Sequence, residues 1–261
     1  MVKQLKLLDT SLLAIYKETV KIDWTNISLP KESTLPNVKP FDFYNSVASV
    51  YSSKIEGEDI ELDSYVKHKF YKVPYEVDYT KKADDLFEAY QYAQSHKFTF
   101  ENAMEAHRIL SKHLLSPSAR GELRNSIMFV MDDKDKIAYV ACEPSLVESE
   151  IEKLFSDIEI LLNADLAIED VFYYASLIHF MFVKIHPMQD GNGRLARLIE
   201  KWFITSKLGK EYWRIKSEKY YYSNLKEYYR SLAITGLEYE TLNQTKVVDF
   251  LSMLPNSIDF E

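Results

Sequence analysis

The chain has 261 residues, 28% of them charged, a formal net charge of −8 and one cysteine, Cys142. That length buries a large core as one unit, or a core with a smaller appendage, and the negative balance with scattered Lys and Arg argues against an electrostatic nucleic-acid binder. A lone cysteine excludes an internal disulfide and suits a reducing compartment, while only six glycines and eight prolines favour helices on short connections.

The N-terminus lacks the apolar core of a secretory signal. The most apolar segment, Val171 to Val183, has thirteen residues without Asp, Glu, Lys or Arg, short of the ~20 that span a bilayer, so a cytoplasmic protein with no membrane partner is expected. Leu5 to Lys21 reads as a first helix, followed by irregular chain around Pro30, Pro36 and Pro40. A second helix begins at Asp42, its expected N-cap, buries Phe43, Val47, Val50, Tyr51 and Ile55 on one face, and stops at Gly57. Glu56 falls in its last turn, where the helix dipole disfavours a negative charge. Glu58 to Lys82 reads as loop and short helix around Pro74, Asp84 to Ser95 as a helix, and Glu101 to Leu115 as another with Met104, Ile109, Leu110 and Leu114 inward. His107 and His113 are six apart, not the three or four that a shared metal needs, and are assigned to its polar face.

After Gly121-Glu122-Leu123-Arg124 come two β-prone runs, Ile127 to Met131 and Ile137 to Ala141, on either side of a charged turn from Asp132 to Lys136. They predict a hairpin. A lone hairpin is marginal in water, so it is packed down or open to an extended peptide. Ser145 to Leu162 is amphipathic, Ile168 to Ile185 is an apolar central helix, Ser217 to Ala233 is a Tyr-rich helix, and a last helix spans Gln244 to Leu254.

Between the central helix and the next one lies His186-Pro187-Met188-Gln189-Asp190-Gly191-Asn192-Gly193-Arg194-Leu195-Ala196-Arg197. Proline ends one helix near His186, the glycines free the loop, and a new helix starts near Asn192 with Leu195, Leu198, Ile199, Trp202 and Phe203 on one stripe. Arg194 and Arg197 both lie in its first turn, the end that already carries about half a positive charge. A bound anion reverses the sign of that conflict, and free loop N–H groups, a helix N-terminus and two guanidinium groups together make a phosphate cradle. His186 can take a proton near neutral pH, and Asp190 can hold the magnesium that accompanies nucleotide phosphates. The misplaced Glu56 is of opposite sign to the two misplaced arginines, which suggests that they pair.

The run His186 to Arg197 resembles the signature of the Fic family, HPFx(D/E)GNGRxxR, with Met188 where phenylalanine is usual. Methionine keeps an apolar anchor of similar reach. Ser52 to Gly57 is similar to the inhibitory motif (S/T)xxxE(G/N) of the class that carries its inhibitor upstream in the same chain. The resemblance implies an all-α Fic fold, a helical bundle with one small β-hairpin flap and an N-terminal helical extension. Its expected divisions are 1–97 with the inhibitory motif, 98–233 as catalytic core, and 234–261 as C-terminal helix and tail.

The implied activity is autoinhibited transfer of AMP from ATP, with Mg2+, to a Ser, Thr or Tyr hydroxyl of a target protein, with the chain itself among the acceptors. His186 would be the base and Asp190 the metal ligand. Gly191, Asn192 and Gly193 would hold phosphates through backbone N–H groups and the Asn192 amide, and Arg194 and Arg197 the β- and γ-phosphates. Met128 and Phe129 of the flap would line the nucleotide site, and Tyr221 and Tyr222 would lie by the adenine. Glu56 would pair with Arg197 in place of the γ-phosphate, with Ser52 fixing the inhibitory helix to the core. Removal of AMP by the same site, or an idle nucleotide-sensing module, are the alternatives. The resemblance leaves a homo-oligomer open.

Overall fold

The computed structural model describes residues 4–31, 35–74, 77–131, 136–258 and 260, with the backbone alone at 77–79. Among them the central feature is a helical hairpin, α7 (Ile168–Ile185) and α8 (Asn192–Leu208), whose two helices pack along each other. Both helices match the bounds read from the sequence. Their signals are local: a run of fourteen buried side chains in α7, a proline after His186, and Gly191 at φ +79 opening α8. The predicted stripe Leu195, Leu198, Ile199, Trp202 and Phe203 is buried, and Met188 is fully buried, an apolar anchor under the loop.

Around this pair lie α1 (Leu13–Thr19), α2 (Pro40–Ile55), α3 (Leu62–Tyr71), α4 (Val77–Ser95), α5 (Phe100–Leu110) and α6 (Pro144–Asn163), then α9 (Ser217–Ser223), α10 (Leu225–Ala233) and α11 (Val248–Asn256). One cluster of buried side chains runs from Tyr16 in α1 through Tyr90 in α4 and Leu154 in α6 to Phe250 in α11. The two strands β1 (Phe129–Met131) and β2 (Ile137–Val140) pair antiparallel, Phe129 opposite Val140, and form the expected hairpin; its charged turn, Asp132 to Asp135, lies outside the described residues.

Several boundaries differ from the sequence reading. The first helix covers Leu13–Thr19 instead of Leu5 to Lys21, because the N–H groups of Lys6, Leu7 and Leu8 donate to the Asp157 carboxylate at 2.7–3.0 Å and hold the chain outside a helix. Helix α2 starts at Pro40, which fills the first-turn position that needs no N–H, so Asp42 lies inside the first turn and is not the cap. Glu58 to Lys82 holds all of α3 and the first turn of α4, which begins at Val77. Thr99 caps α5 through its hydroxyl oxygen, which accepts from Asn102 N at 3.2 Å, and the helix ends at Leu110 instead of Leu115. The Tyr-rich helix breaks in two at Asn224, φ −117, and the last helix starts at Val248, after a short 3-10 turn.

Candidate active site

The loop between α7 and α8 is built from its own backbone. His186 caps α7 in the left-handed region, φ 53 and ψ 56, an uncommon conformation for a non-glycine residue. Asn192, 2% exposed, staples the loop: its Oδ1 accepts from Met188 N at 2.8 Å and its Nδ2 donates to Met188 O at 2.9 Å. One of its two amide N–H groups and its carbonyl oxygen are thus committed to shaping the loop. The first intrahelical bond of α8 runs from Leu195 N to Gly191 O at 2.9 Å, so the N–H groups of the first turn project into the space the loop encloses, and no side chain caps them.

Arg197 is fully buried and its guanidinium is held on three sides. Nη2 donates to Glu56 Oε1 at 2.6 Å and to Ser52 O at 3.1 Å, Nε to Ser52 Oγ at 2.8 Å, and Nη1 to the Tyr228 hydroxyl at 3.3 Å. The opposite-sign pair read from two helix ends is therefore present, and Ser52 is buried against it. The Glu56 carboxylate lies over the first turn of α8: a Cβ on Gly193 would come within 2.4 Å of Glu56 Oε1, so glycine alone admits it there. Burial works against the charge on Glu56, but Arg197 and then Arg194 outweigh it and hold the carboxyl below its usual range. Burial likewise works against Arg197, and Glu56 reverses it, so the guanidinium stays charged.

Arg194 faces the same space. Its Nη2 lies 3.4 Å from Glu58 Oε1, a carboxylate that also takes Lys82 Nζ at 2.6 Å, and its buried Nε has no hydrogen-bond partner among the described residues. An orphaned guanidinium N–H beside an uncapped helix N-terminus fits an anion that is larger than the carboxylate now present.

The His186 imidazole is partly buried. Its Nδ1 contacts Val183 O at 3.2 Å, and because a carbonyl only accepts, Nδ1 carries the proton of the neutral ring and leaves Nε2 with its lone pair. Burial holds this imidazole below its usual range; Arg124 pushes the same way, while the Val183 carbonyl, Glu56 and Asp190 push back. A neutral ring with a free Nε2 is the state a general base needs.

His107 departs from its assignment to a polar face. It is fully buried and joins two loops: Gly121 N donates to its Nδ1 at 2.9 Å and its Nε2 donates to Asp190 O at 2.9 Å. His113, half exposed, contacts Asp85 Oδ2 at 2.7 Å. Asp190 is exposed; its Oδ1 accepts from Gly191 N at 2.6 Å, and among the described residues no group of three or more His, Cys, Asp or Glu could hold a metal. That donor set fits magnesium, which is commonly held by one carboxylate plus substrate phosphates and water, and Asp190 is the residue that would hold it.

On the flap, Phe129 is 48% exposed and Met128 half-buried, its carbonyl accepting from Ala141 N at 3.0 Å. Tyr221 is corrected to a core residue: it is 1% exposed, and its hydroxyl lies 2.9 Å from a buried Glu200 oxygen, so its ring offers adenine no face. Tyr222 is half-buried beside Tyr51, ring centroids 5.7 Å apart, with Lys54 Nζ 5.2 Å over its ring. Sequence reasoning missed Glu58, His107, Arg124 and Tyr229, whose hydroxyl donates to Ile55 O at 2.9 Å beside Glu56. Only Arg124, in a run set off by Gly121, carried any local signal.

The site joins an uncapped helix N-terminus and two buried arginines to a histidine with a free Nε2 and a hairpin, on a helical bundle. Residues 97–204 match the Fic/DOC family. Over 106 residues it is 34% identical to the protein adenylyltransferase Fic of Nematostella vectensis, a match that covers 41% of this chain and 22% of that relative. Among solved structures it is similar to a Fic family protein from Desulfovibrio desulfuricans, TM-score 0.72 at 16% identity over 98% of this chain and 75% of that one. It is also similar to a Fic-domain signalling protein from Bacteroides thetaiotaomicron, TM-score 0.62 at 15% identity over 95% of this chain and 94% of that one. Fic-1 of C. elegans gives TM-score 0.64 at 15% identity, over 95% and 68% of the two chains. These structures share the fold. Among the described residues no helix is long and apolar enough to cross a membrane.

Proposed function

We propose that the chain is a protein adenylyltransferase held in check by its own Glu56, transferring AMP from ATP to a side-chain hydroxyl of a protein. The observation that carries this reading is the Glu56 carboxylate seated on Arg197 at 2.6 Å and against Gly193, an internal anion lodged in an anion site. When Glu56 leaves, the first-turn N–H groups of α8, Arg197 and the orphaned Nε of Arg194 are free to receive the phosphates of ATP. His186 Nε2 then accepts the proton of the incoming hydroxyl as its oxygen bonds to the α-phosphorus; the bond from that phosphorus to the bridging oxygen breaks, and pyrophosphate leaves with the electron pair. Magnesium held by Asp190 supplies charge neutralisation on the phosphates. The nearby curated relative is named for this activity, which supports the assignment.

The test uses ATP labelled at the α-phosphate and a cell extract as source of hydroxyls. Label entering protein with Glu56→Gly, weaker with the parent and absent from Glu56→Gly/His186→Ala, is the expected result. No label with Glu56→Gly overturns the reading. Label removed from a pre-modified protein only when Glu56 is intact would replace it with AMP removal.

A further inference from the structure

Arg124 closes the Gly121-Glu122-Leu123-Arg124 run and is 6% exposed. Its guanidinium makes four hydrogen bonds, all to main-chain carbonyls: Nε to His186 at 2.6 Å, Nη1 to Ser126 at 2.7 Å, and Nη2 to Cys142 at 2.6 Å and Ile185 at 3.1 Å. Its own N–H donates to Pro187 O at 2.8 Å. Ser126 and Cys142 are the two feet of the hairpin; Ile185, His186 and Pro187 are the end of α7 and the loop that carries the base. One side chain therefore spans both halves of the site. No carboxylate pairs with it among the described residues, so the buried charge is balanced by carbonyl dipoles, two of them at the negative end of α7.

We propose that Arg124 is a positioning residue for the reaction, clamping the flap to the His186 backbone so that the hydroxyl presented at the flap and the imidazole that must reach it move as one body. This rests on the transfer reading above, with the open edge of the hairpin taken to present the target hydroxyl. His186 sits in a left-handed conformation that its own side chain does not favour, and the carbonyl that fixes that conformation is the one Nε grips. In-line attack tolerates little error: a displacement of about 1 Å far from the chemistry can cost about 100-fold. Lysine at 124 keeps the charge but has a single side-chain nitrogen with three donors and cannot bridge the four carbonyls. Tyr139 on β2 adds a second tie, its hydroxyl donating to Lys184 O at 2.9 Å, but it reaches one turn short of the base.

Arg124→Lys and Arg124→Gln are compared in the Glu56→Gly protein; if the glutamine variant fails to fold, the lysine variant carries the test. ATP affinity, measured by calorimetry with magnesium present, is expected within about threefold of the parent because the phosphate cradle is untouched, whereas the rate of labelling at saturating ATP falls about 100-fold. Deuterium exchange at 124–128 and at 185–188 should accelerate together in both variants, since one clamp protects both. Asp190 also acts on the His186 ring and stays in place, and Glu56 is absent from parent and variants alike, so the acid limb of the rate profile should move to higher pH with glutamine, which removes a nearby cation, and stay put with lysine. Unchanged exchange, or labelling within about threefold of the parent in a folded lysine variant, overturns the proposal. Accelerated exchange in both segments when the Glu56→Gly parent itself takes no label would leave the clamp standing and remove the transfer reading.

Discussion

Replacing Glu56 with glutamine isolates the charge of the Glu56–Arg197 contact from its shape. Arg197 keeps Ser52 Oγ, Ser52 O and the Tyr228 hydroxyl, and the glutamine carbonyl can still accept from Nη2, so the guanidinium loses the counter-charge of Glu56 and keeps its four hydrogen bonds. Removing one partner of a fully buried pair costs about 3–5 kcal/mol. Here the glutamate side chain is 30% exposed and a neutral acceptor replaces the charged one, so the figure for a hydrogen bond to a charged group, about 2 kcal/mol, is the better guide. Two consequences of opposite sign follow. Without nucleotide the melting temperature should fall by about 4–8 °C, because a destabilised guanidinium lowers the folded state. With ATP the labelling rate should rise by about 30-fold, the same 2 kcal/mol no longer being spent to displace the carboxylate from the γ-phosphate position. Scanning calorimetry and initial rates of labelling read the two. A glutamine variant that melts with the parent and labels no faster refutes the claim that this ion pair restrains the site; a lower melting temperature without faster labelling makes the pair structural only.

Three further outcomes are expected. Tyr229→Phe removes the donor that holds Ile55 O next to Glu56, worth about 0.5–1.5 kcal/mol, and should raise labelling about two- to tenfold with little change in ATP affinity, as read by initial rates. Asn192→Ala leaves both polar groups of the buried Met188 backbone without partners, at about 1–3 kcal/mol each, and should lower the melting temperature by more than about 4 °C while reducing labelling in the Glu56→Gly protein. His107 and His186 are both held by burial below the 6.5 of a free imidazole, so the unfolded chain takes up their protons first as pH falls; their contribution is complete above about 6.5 and is lost below it. The melting temperature should drop between about pH 7.5 and 5.5, less steeply in His107→Gln, and a flat profile over that window contradicts the assignment.

The loop that carries His186 was legible because its determinants are neighbours in the chain. A proline, two glycines and a 3.6-residue stripe bound α7 and α8 at the observed residues, and the charge misplaced at each of two helix ends pointed to a pair before any geometry was known. The charge argument holds for Arg194, the third residue of α8; Arg197 is the sixth, beyond the first turn where the dipole acts, and its pairing with Glu56 comes from packing instead. The same reasoning placed His107 on a polar face and, with the family resemblance, Tyr221 by the adenine. Their burial comes from elements packed from elsewhere in the chain, Gly121 and Asp190 for the histidine and Glu200 for the tyrosine.

Local chemistry thus determined most of the helices, the hairpin, and the residues proposed to bind phosphate and accept a proton. Only the folded chain decided which carboxylate faces which arginine, since Glu56 and Arg197 lie 141 positions apart, and only it showed that Asn192 is spent on Met188. The first helix makes the same point in miniature: Leu5 to Thr10 have the pattern to be helical, and three bonds to Asp157, about 150 positions away, take their N–H groups elsewhere. Propensity and periodicity report what a segment can do alone; a buried polar group goes to whichever partner satisfies it, and that partner is set by packing.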